Sequence, residues 1–447
     1  MKLAGTADAS YRPPTFRRVD PISSGPLVTR TNQSKEHALS DPNNQKARVA
    51  ILGAGLAGCI AALEFAHTGQ RVTLIDRTPR PMMGASRHNE GKLHLGYVYA
   101  ADTSLETHKI LAEGTLRFLD TLERLTGCPR DRFTVSDAFT YVVPDDSART
   151  PDDIWAYFNS VDDTVAELCD QMGLSPYERA RVATKEYYRT HYGDCVQTAY
   201  HTPEIAVDPG RVSDIVAAAV YAHPLITFLG ARTVMDVRRV GASGYRIRLS
   251  DQTEITQLDA AAVINALWED RLRIDEMVGL GSPFVWSQRW KATVTIEVPP
   301  ESITLPSTTA LVGPYGDFVL YGKARVYISW YPACRLSMST TASPDQVRAI
   351  VDAANHDDIR VRSLRNLSRL IPGVSDLLAY KNNTTVGGGF IMAVGESDID
   401  DRKSGLHERH QIGVEHHDTW VSLSTGKFCT APMFAVRAAR GLKGVLT

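Results

Sequence analysis

Residues 48–77 read RVAILGAGLAGCIAALEFAHTGQRVTLIDR, and this stretch decides the fold. Arg48 to Leu52 is a short apolar run with β-branched members, the pattern of a strand buried on both faces. Gly53, Gly55 and Gly58 follow in the G-x-G-x-x-G spacing, with Ala54, Leu56 and Ala57 completing the loop. Gly53 permits a tight turn, Gly55 lets a pyrophosphate approach the backbone, and Gly58 lets the next helix pack closely on the sheet. That helix, from about Leu56 to Thr68, points its free amides and the positive end of its dipole at the phosphates. Gly69 closes it, Val72–Ile75 forms a second strand, and Asp76 stands where a carboxylate holds adenosine ribose hydroxyls. Strand, glycine turn, helix, strand and terminal acid together predict a dinucleotide site.

The segment after Asp76 narrows the class. Arg77 and a loop over 78–85 lead into GASRHNEGKLH, which ends at His94. This combination resembles the FAD-dependent oxidoreductases of the D-amino-acid oxidase and glycine oxidase superfamily. It is most similar to the branch holding L-2-hydroxyglutarate and glycerol-3-phosphate dehydrogenases. The resemblance implies that this segment passes beside a flavin, with contacts from Ser86, Arg87, Asn89, Gly91, Lys92, Leu93 and His94. Two later stretches extend it. Val234 occupies the place where such proteins meet adenine, and AAAVINALW, ending at Trp268, resembles their return strand and puts Asn265 and Ala266 beside the dinucleotide. Trp268 stands where a glycine is usual.

Near the C-terminus, Gly387-Gly388-Gly389 predicts a bend into a strand. A glycine loop with Gly426, Lys427 and Phe428 then feeds a helix expected from about Thr430 to Gly441. A helix N-terminus and free amides there suit the charge that collects on the pyrimidine end of a reduced flavin. Lys427 reads equally well as a full positive charge at that end or as a solvated loop lysine. The implied fold class is α/β, a Rossmann-like FAD-binding domain of the glutathione-reductase type with a mixed antiparallel-sheet substrate domain. Expected boundaries are an N-terminal arm over 1–46, a discontinuous FAD domain (47–100, 196–270, 381–447) and a substrate or cap domain (101–195, 271–380).

The substrate side reads as helices over 102–127 and 152–190, with Gly127 as a stop. Past Ser287 the chain turns β-rich, through KATVTIEV, DFVLYG and ARVYISWYP, with an antiparallel sheet covering the flavin. His94 is a candidate proton acceptor for a substrate hydroxyl or amine, set against a flavin-positioning or packing role and, third, covalent attachment to the flavin. Lys427 and Tyr99 are further catalytic candidates. Tyr97 and Tyr99 alternate as if along a strand, which reads as well as two core aromatics. Tyr97, Tyr321, Trp330 and Arg335 are candidates for a substrate pocket, where an arginine suits a carboxylate or phosphate.

Composition excludes other classes. The 49 Lys and Arg balance 51 Asp and Glu, so no global field recruits nucleic acid or an anionic membrane. No apolar run approaches the ~20 residues of a membrane span, and the N-terminus lacks the apolar core of a secretory signal. Six scattered cysteines without a C-x-x-C pair fit a reducing cytoplasm. His407, His410, His416 and His417 do not form H-E-x-x-H, and a surface loop or strand pair explains them better than zinc. The expectation is therefore an oxidase or dehydrogenase with a small-molecule substrate and FAD, reoxidised by oxygen or a quinone-type acceptor. A flavin monooxygenase, a non-catalytic binding module on the same fold and an NAD-dependent dehydrogenase are the competing readings.

Overall fold

A computed structural model describes residues 46–241, 244–398, 401 and 404–446. All but the last residue of the arm expected over 1–46 lies outside them. The first strand, β1 (Lys46–Leu52), leads through the glycine turn into α1 (Leu56–His67) and back into β2 (Val72–Ile75). Val49 to Leu52 are fully buried, as an apolar run covered on both faces requires. β1 lies at the centre of a parallel set, with strand Ile255–Asn265 on one side and β2 on the other. Trp420–Ser424 extends the set beyond Ile255–Asn265, and Ile226–Leu229 extends it beyond β2. The hairpin Thr233–Val240 and Gly244–Ser250 adds antiparallel strands, so this eight-stranded sheet is mixed.

Helix α1 is buried from Gly58 through Ala66, because it is apolar all round and helices cover it. It packs against the C-terminal helix (Ala431–Leu446), helix Pro209–Ala222 and α2 (Thr107–Thr126). One acid sits inside that packing. Glu64 accepts from Arg124 Nη2 of α2 at 2.7 Å and from Arg440 Nε of the C-terminal helix at 2.9 Å. A single carboxylate thus ties together three helices that are distant in sequence.

The second sheet has nine strands, and Trp286–Glu297 is its longest. That strand pairs antiparallel with Thr384–Val394, Arg325–Trp330 and Arg335–Ser339. Thr308–Ala310 runs parallel to Thr140–Pro144, so the sheet is mixed rather than wholly antiparallel. Strands Val196–His201 and Thr384–Val394, expected on the cofactor side, hydrogen-bond into this second sheet.

Several local expectations need correction. The helix read over 152–190 stops early: α3 (Pro151–Met172) ends at Gly173, which adopts a left-handed φ of 65°. Past it, Arg181–Val182 joins a strand and Lys185–His191 forms a short helix capped by Thr184. Tyr97 and Tyr99 lie on one tight helical turn, not a strand, because Gly96 (φ 124°) redirects the chain where a Cβ would meet His108. The three glycines at 387–389 do not bend the chain; they continue strand Thr384–Val394, paired residue for residue. They make room instead. A Cβ on Gly387 would lie 2.3 Å from His88 Nδ1, and one on Gly389 2.7 Å from Ala85. The C-terminal helix likewise runs through Gly441, which packs on the His416 ring rather than stopping the helix.

Glu64 yields a stability test. Burial alone would raise its pKa, but the two arginines outweigh that and lower it. A depressed carboxyl contributes stability above its unfolded pKa and loses it as pH falls through the folded value. Glu64→Gln should therefore lower the urea midpoint more at pH 7 than near pH 3. The loss should be no more than about 1 kcal/mol, because both arginines reach solvent. Equal losses at both pH values would mean the carboxylate charge plays no part.

Candidate active site

The glycine turn makes its contacts through missing side chains. A Cβ on Gly58 would lie 1.8 Å from Gly53 O, and one on Gly53 would lie 2.5 Å from Ala266 O. Gly53 also has φ 95°, open to glycine and strained for other residues. Asp76, at the end of β2, reaches back to this loop. Its Oδ2 accepts from Ala54 N at 2.6 Å and its Oδ1 from Thr78 N at 2.8 Å. Gly55 caps α1 without a side-chain hydrogen bond, and Ser86 Oγ accepts from Leu56 N at 2.9 Å. The start of α1 is thus left bare apart from one hydroxyl.

A cavity of about 790 Å³ opens from this loop. Its lining takes in Gly53, Ala54, Gly55, Leu56, Ala57, Asp76 and Arg77 at one end. Ser86, Asn89, Lys92 and His94 follow, with Val234 and Ala266 on the return strands. Gly426, Lys427 and Phe428 line it near the C-terminal helix. His94 and Gly426, 332 positions apart in the chain, therefore share one chamber.

Other expected residues lie behind this lining. Gly58 packs on Gly53, as the motif requires. Gly91 (φ 59°) packs on Val207 O, and Leu93 is in the core. Arg87 pairs with Asp214 at 2.8 Å. Asn265 is buried and donates to Asp275 Oδ1 at 2.8 Å and Arg271 O at 3.0 Å, while accepting from Leu267 N. It shapes the turn that presents Ala266. Asn89, although in the lining, bonds within its own loop, to Ala85 O, Ser86 O and Gly91 N.

The four substrate-pocket candidates are all engaged elsewhere. Tyr97 OH donates to Asp162, and Tyr321 OH donates to Glu90 O at 2.6 Å. Trp330 packs on Tyr315, and Arg335 pairs with Asp398 at 2.8 Å. None of the four is in the cavity lining. Tyr99 also lies behind it, 6.5 Å from His94 ring to ring and under the Lys427 ammonium at 5.5 Å.

Charge is concentrated around His94, which is 2% exposed. Its Nε2 is 3.5 Å from Glu90 Oε1 and its Nδ1 4.0 Å from Glu204 Oε2, yet neither nitrogen completes a hydrogen bond among the described residues. Burial lowers the imidazole pKa and Lys427 lowers it further, against the opposing pull of Glu90 and Glu204. Burial would raise Glu90, but His94, Lys427 and Lys291 outweigh it and hold that carboxyl well below its usual range. Lys427 is the reverse: burial would lower it, while Tyr99 and Glu90 carry it up. It is only 24% exposed, with Nζ 4.0 Å from Glu90, so it is not a solvated loop lysine.

Residues that sequence reading passed over complete the chamber. Lys291 and Tyr327 face it from the second sheet, and Trp290, Arg348 and Arg409 line it as well. The strand alternation of KATVTIEV puts Lys291 and Thr293 on one face, a usable signal. Arg409 carried none, since it arrives on an irregular loop, where its Nη1 donates to Met392 O and its Nε has no partner among the described residues. No cysteine lines the cavity, and among the described residues no cluster of three His, Cys, Asp or Glu is placed to hold a metal. No described helix is long and apolar enough to cross a membrane.

Comparison with known proteins agrees with this geometry. The profile of the family described as FAD dependent oxidoreductase matches residues 48–414. Curated relatives match only locally. A nitric oxide reductase FlRd-NAD(+) reductase from Aeromonas salmonicida is 40% identical over 65 residues, 14% of this chain and 17% of its own length. A D-amino acid dehydrogenase from Sinorhizobium medicae is 40% identical over 50 residues, 11% of this chain and 12% of its own. Solved structures match along nearly the whole chain. Glycine oxidase from Geobacillus kaustophilus superposes with TM-score 0.65 at 16% identity, covering 90% of this chain and 95% of that one. L-alpha-glycerophosphate oxidase from Mycoplasma pneumoniae, solved with FAD bound, gives TM-score 0.55 at 15% identity, covering 89% and 95%. At such identities the likeness is one of fold.

The chamber fits FAD on its own terms. Bare glycine backbone and the start of α1 suit a pyrophosphate, and Asp76 suits a ribose. At the far end, the unpartnered His94 nitrogens and Arg409 Nε suit a polar ring system and its substrate. Asp76→Ala should weaken FAD binding roughly 10- to 100-fold, since it removes both the acceptor and the brace on Ala54 N. Titration of the stripped protein by flavin fluorescence quenching measures it; unchanged affinity would remove Asp76 from the cofactor site.

Proposed function

Because the chain belongs to the FAD dependent oxidoreductase family, we propose that it oxidises a carbon bearing an amine or hydroxyl on a small molecule, as an oxidase or a dehydrogenase. The carrying observation is that one cavity joins the glycine turn and Asp76 to His94 and Lys427. FAD is the cofactor, and the residues that would hold it are Gly53–Ala57, Asp76, Ser86, Val234, Ala266 and Gly426–Phe428, all in the cavity lining. Bound FAD supplies a hydride acceptor for the C–H bond. The protein binds and orients the donor, takes its proton and balances charge.

His94 takes the proton. Burial and the Lys427 charge bias the imidazole toward its neutral form, and Nε2 is the nitrogen beside Glu90, which lines the cavity. Lys427 supplies a positive charge at the start of the C-terminal helix, where charge on the reduced cofactor is stabilised. Lys92 is committed to structure: its ammonium is buried against Asp317 at 3.1 Å and against Thr309. Lys291, 3.9 Å from Asp317, is freer to meet a substrate anion.

The direct test is anaerobic bleaching of the yellow protein with a panel of amines and hydroxy acids, followed by readmission of oxygen. Bleaching by one donor class identifies the substrate, and the speed of recolouring with oxygen separates oxidase from dehydrogenase. No bleaching by any donor, with substrate-stimulated NAD(P)H consumption instead, would replace this reading by hydroxylation. His94→Asn should slow bleaching by about 10²–10⁴-fold with little change in substrate affinity. Lys427→Met should make the potential of the bound cofactor more negative, by about 30 mV for each ~1.4 kcal/mol of lost stabilisation. A potential equal to wild type would place Lys427 outside the cofactor's field.

A further inference from the structure

Glu204 is the one fully buried acid that the reaction above leaves unused while its carboxylate faces the reacting histidine. It lies between strands Val196–His201 and Ile205–Ala206, and its side chain has no exposure. Its two oxygens have different work. Oε1 accepts from Leu95 N at 2.6 Å and Gly96 N at 3.0 Å, fixing the backbone immediately after His94. Oε2 accepts from the Tyr141 hydroxyl and lies 4.0 Å from His94 Nδ1, on the side of the ring away from Glu90. Thr115 Oγ1 donates to His94 O at 2.6 Å, so the peptide bond that follows the ring is held through both its oxygen and its N–H.

We propose that Glu204 is a positioning residue that holds His94 with its proton on Nδ1 and the Nε2 lone pair toward the substrate, and that stabilises the ring once it has accepted a proton. The inference rests on the reading of His94 as proton acceptor. A neutral imidazole carries one N–H, and each nitrogen here faces a carboxylate. Placing the proton on Nδ1 directs it at an anion that cannot move, because two amides and a phenol anchor it. Glu90 is nearer, at 3.5 Å against 4.0 Å, but it is shared with Lys427 and Lys291 and lines the cavity, where a substrate N–H or O–H competes for Nε2. In the reaction the substrate N–H or O–H bond breaks and an N–H bond forms at Nε2, while the C–H electron pair goes to FAD as above. The doubly protonated ring then has a carboxylate opposite each N–H, an arrangement worth more in a buried site than in water.

The charged and titratable groups around the ring come from every neighbouring element. Glu90 and Lys92 flank it in sequence, Glu204 faces Nδ1, and Lys427 approaches from the loop before the C-terminal helix. Tyr99 packs its ring edgewise at 6.5 Å, and Cys429 bonds to the His94 backbone. Lys427 opposes protonation and the two glutamates favour it, so removal of either glutamate has a defined sign.

The test is ¹⁵N NMR of histidine-labelled holoprotein, with the His94 ring signals identified by their loss in His94→Asn. Wild type should show Nδ1 protonated and Nε2 bare at neutral pH. Glu204→Gln should abolish that preference and move the His94 titration to lower pH. Tyr141→Phe, which removes a donor from Glu204 and leaves more of its charge for the ring, should move it to higher pH. The acid limb of the bleaching rate should follow the same two directions, and Glu204→Gln should slow its plateau ~10-fold or more at unchanged substrate affinity. Should Glu204→Gln fail to fold, Tyr141→Phe alone carries the sign. Titrations unmoved in both variants, or moved the same way, overturn the proposal. If the NMR shifts appear while His94→Asn bleaches at the wild-type rate, Glu204 still orients the ring, and it is the role of His94 as acceptor that fails.

Discussion

The distance between the Gly58 position and Gly53 O sets the rest of this molecule. No side chain larger than hydrogen fits there, and the hydrogen lets α1 settle onto the turn that ends β1. From that contact follow the bare helix start, the reach of Asp76 back to Ala54 N and the approach of Ala266 from the neighbouring strand. A second close approach, of the 85–88 segment onto the glycines of Thr384–Val394, brings the second sheet up to the same chamber. The site is built where backbone meets backbone, and glycine is the residue that makes both meetings possible.

Electrostatics in the chamber follows from burial. Glu90 and Glu204 lie within 4.0 Å of His94 and Lys427 lies 4.0 Å from Glu90, and the low polarity around them makes each charge felt by the next. The ring loses its tendency to hold a proton because of burial and a nearby ammonium, and the flanking carboxylates keep that loss from being complete. The proposed proton abstraction from an amine or hydroxyl needs such a ring, neutral at rest and stabilised when charged.

Sequence reading went furthest where chemistry and local periodicity coincide. The glycine spacing, Asp76 and the Gly127 stop were legible because each is set by neighbours in the chain. The segment ending at His94 was legible only through family resemblance, and its hidden half was not: Glu204 meets His94 across 110 residues and carries no local mark. The same lack of a local mark hides which arginine reaches the cavity. Arg335 satisfies Asp398, whereas Arg409 enters from a loop with no period to read. The run Gly387–Gly389 suggested a bend because glycine loosens a chain, but here it admits the His88 ring and Ala85.

The order of strands in the parallel sheet has a consequence for synthesis on the ribosome. Ile255–Asn265 is flanked on one side by β1, among the first described strands, and on the other by Trp420–Ser424, among the last. The helix that covers α1 comes later still, over Ala431–Leu446. Until residues 420–446 have emerged, a nascent chain therefore carries an unpaired edge on Ile255–Asn265 and an α1 covered only by Thr107–Thr126 and Pro209–Ala222, a state that invites capture by chaperones. The parallel sheet and its helical cover close only when residues 420–446 have emerged.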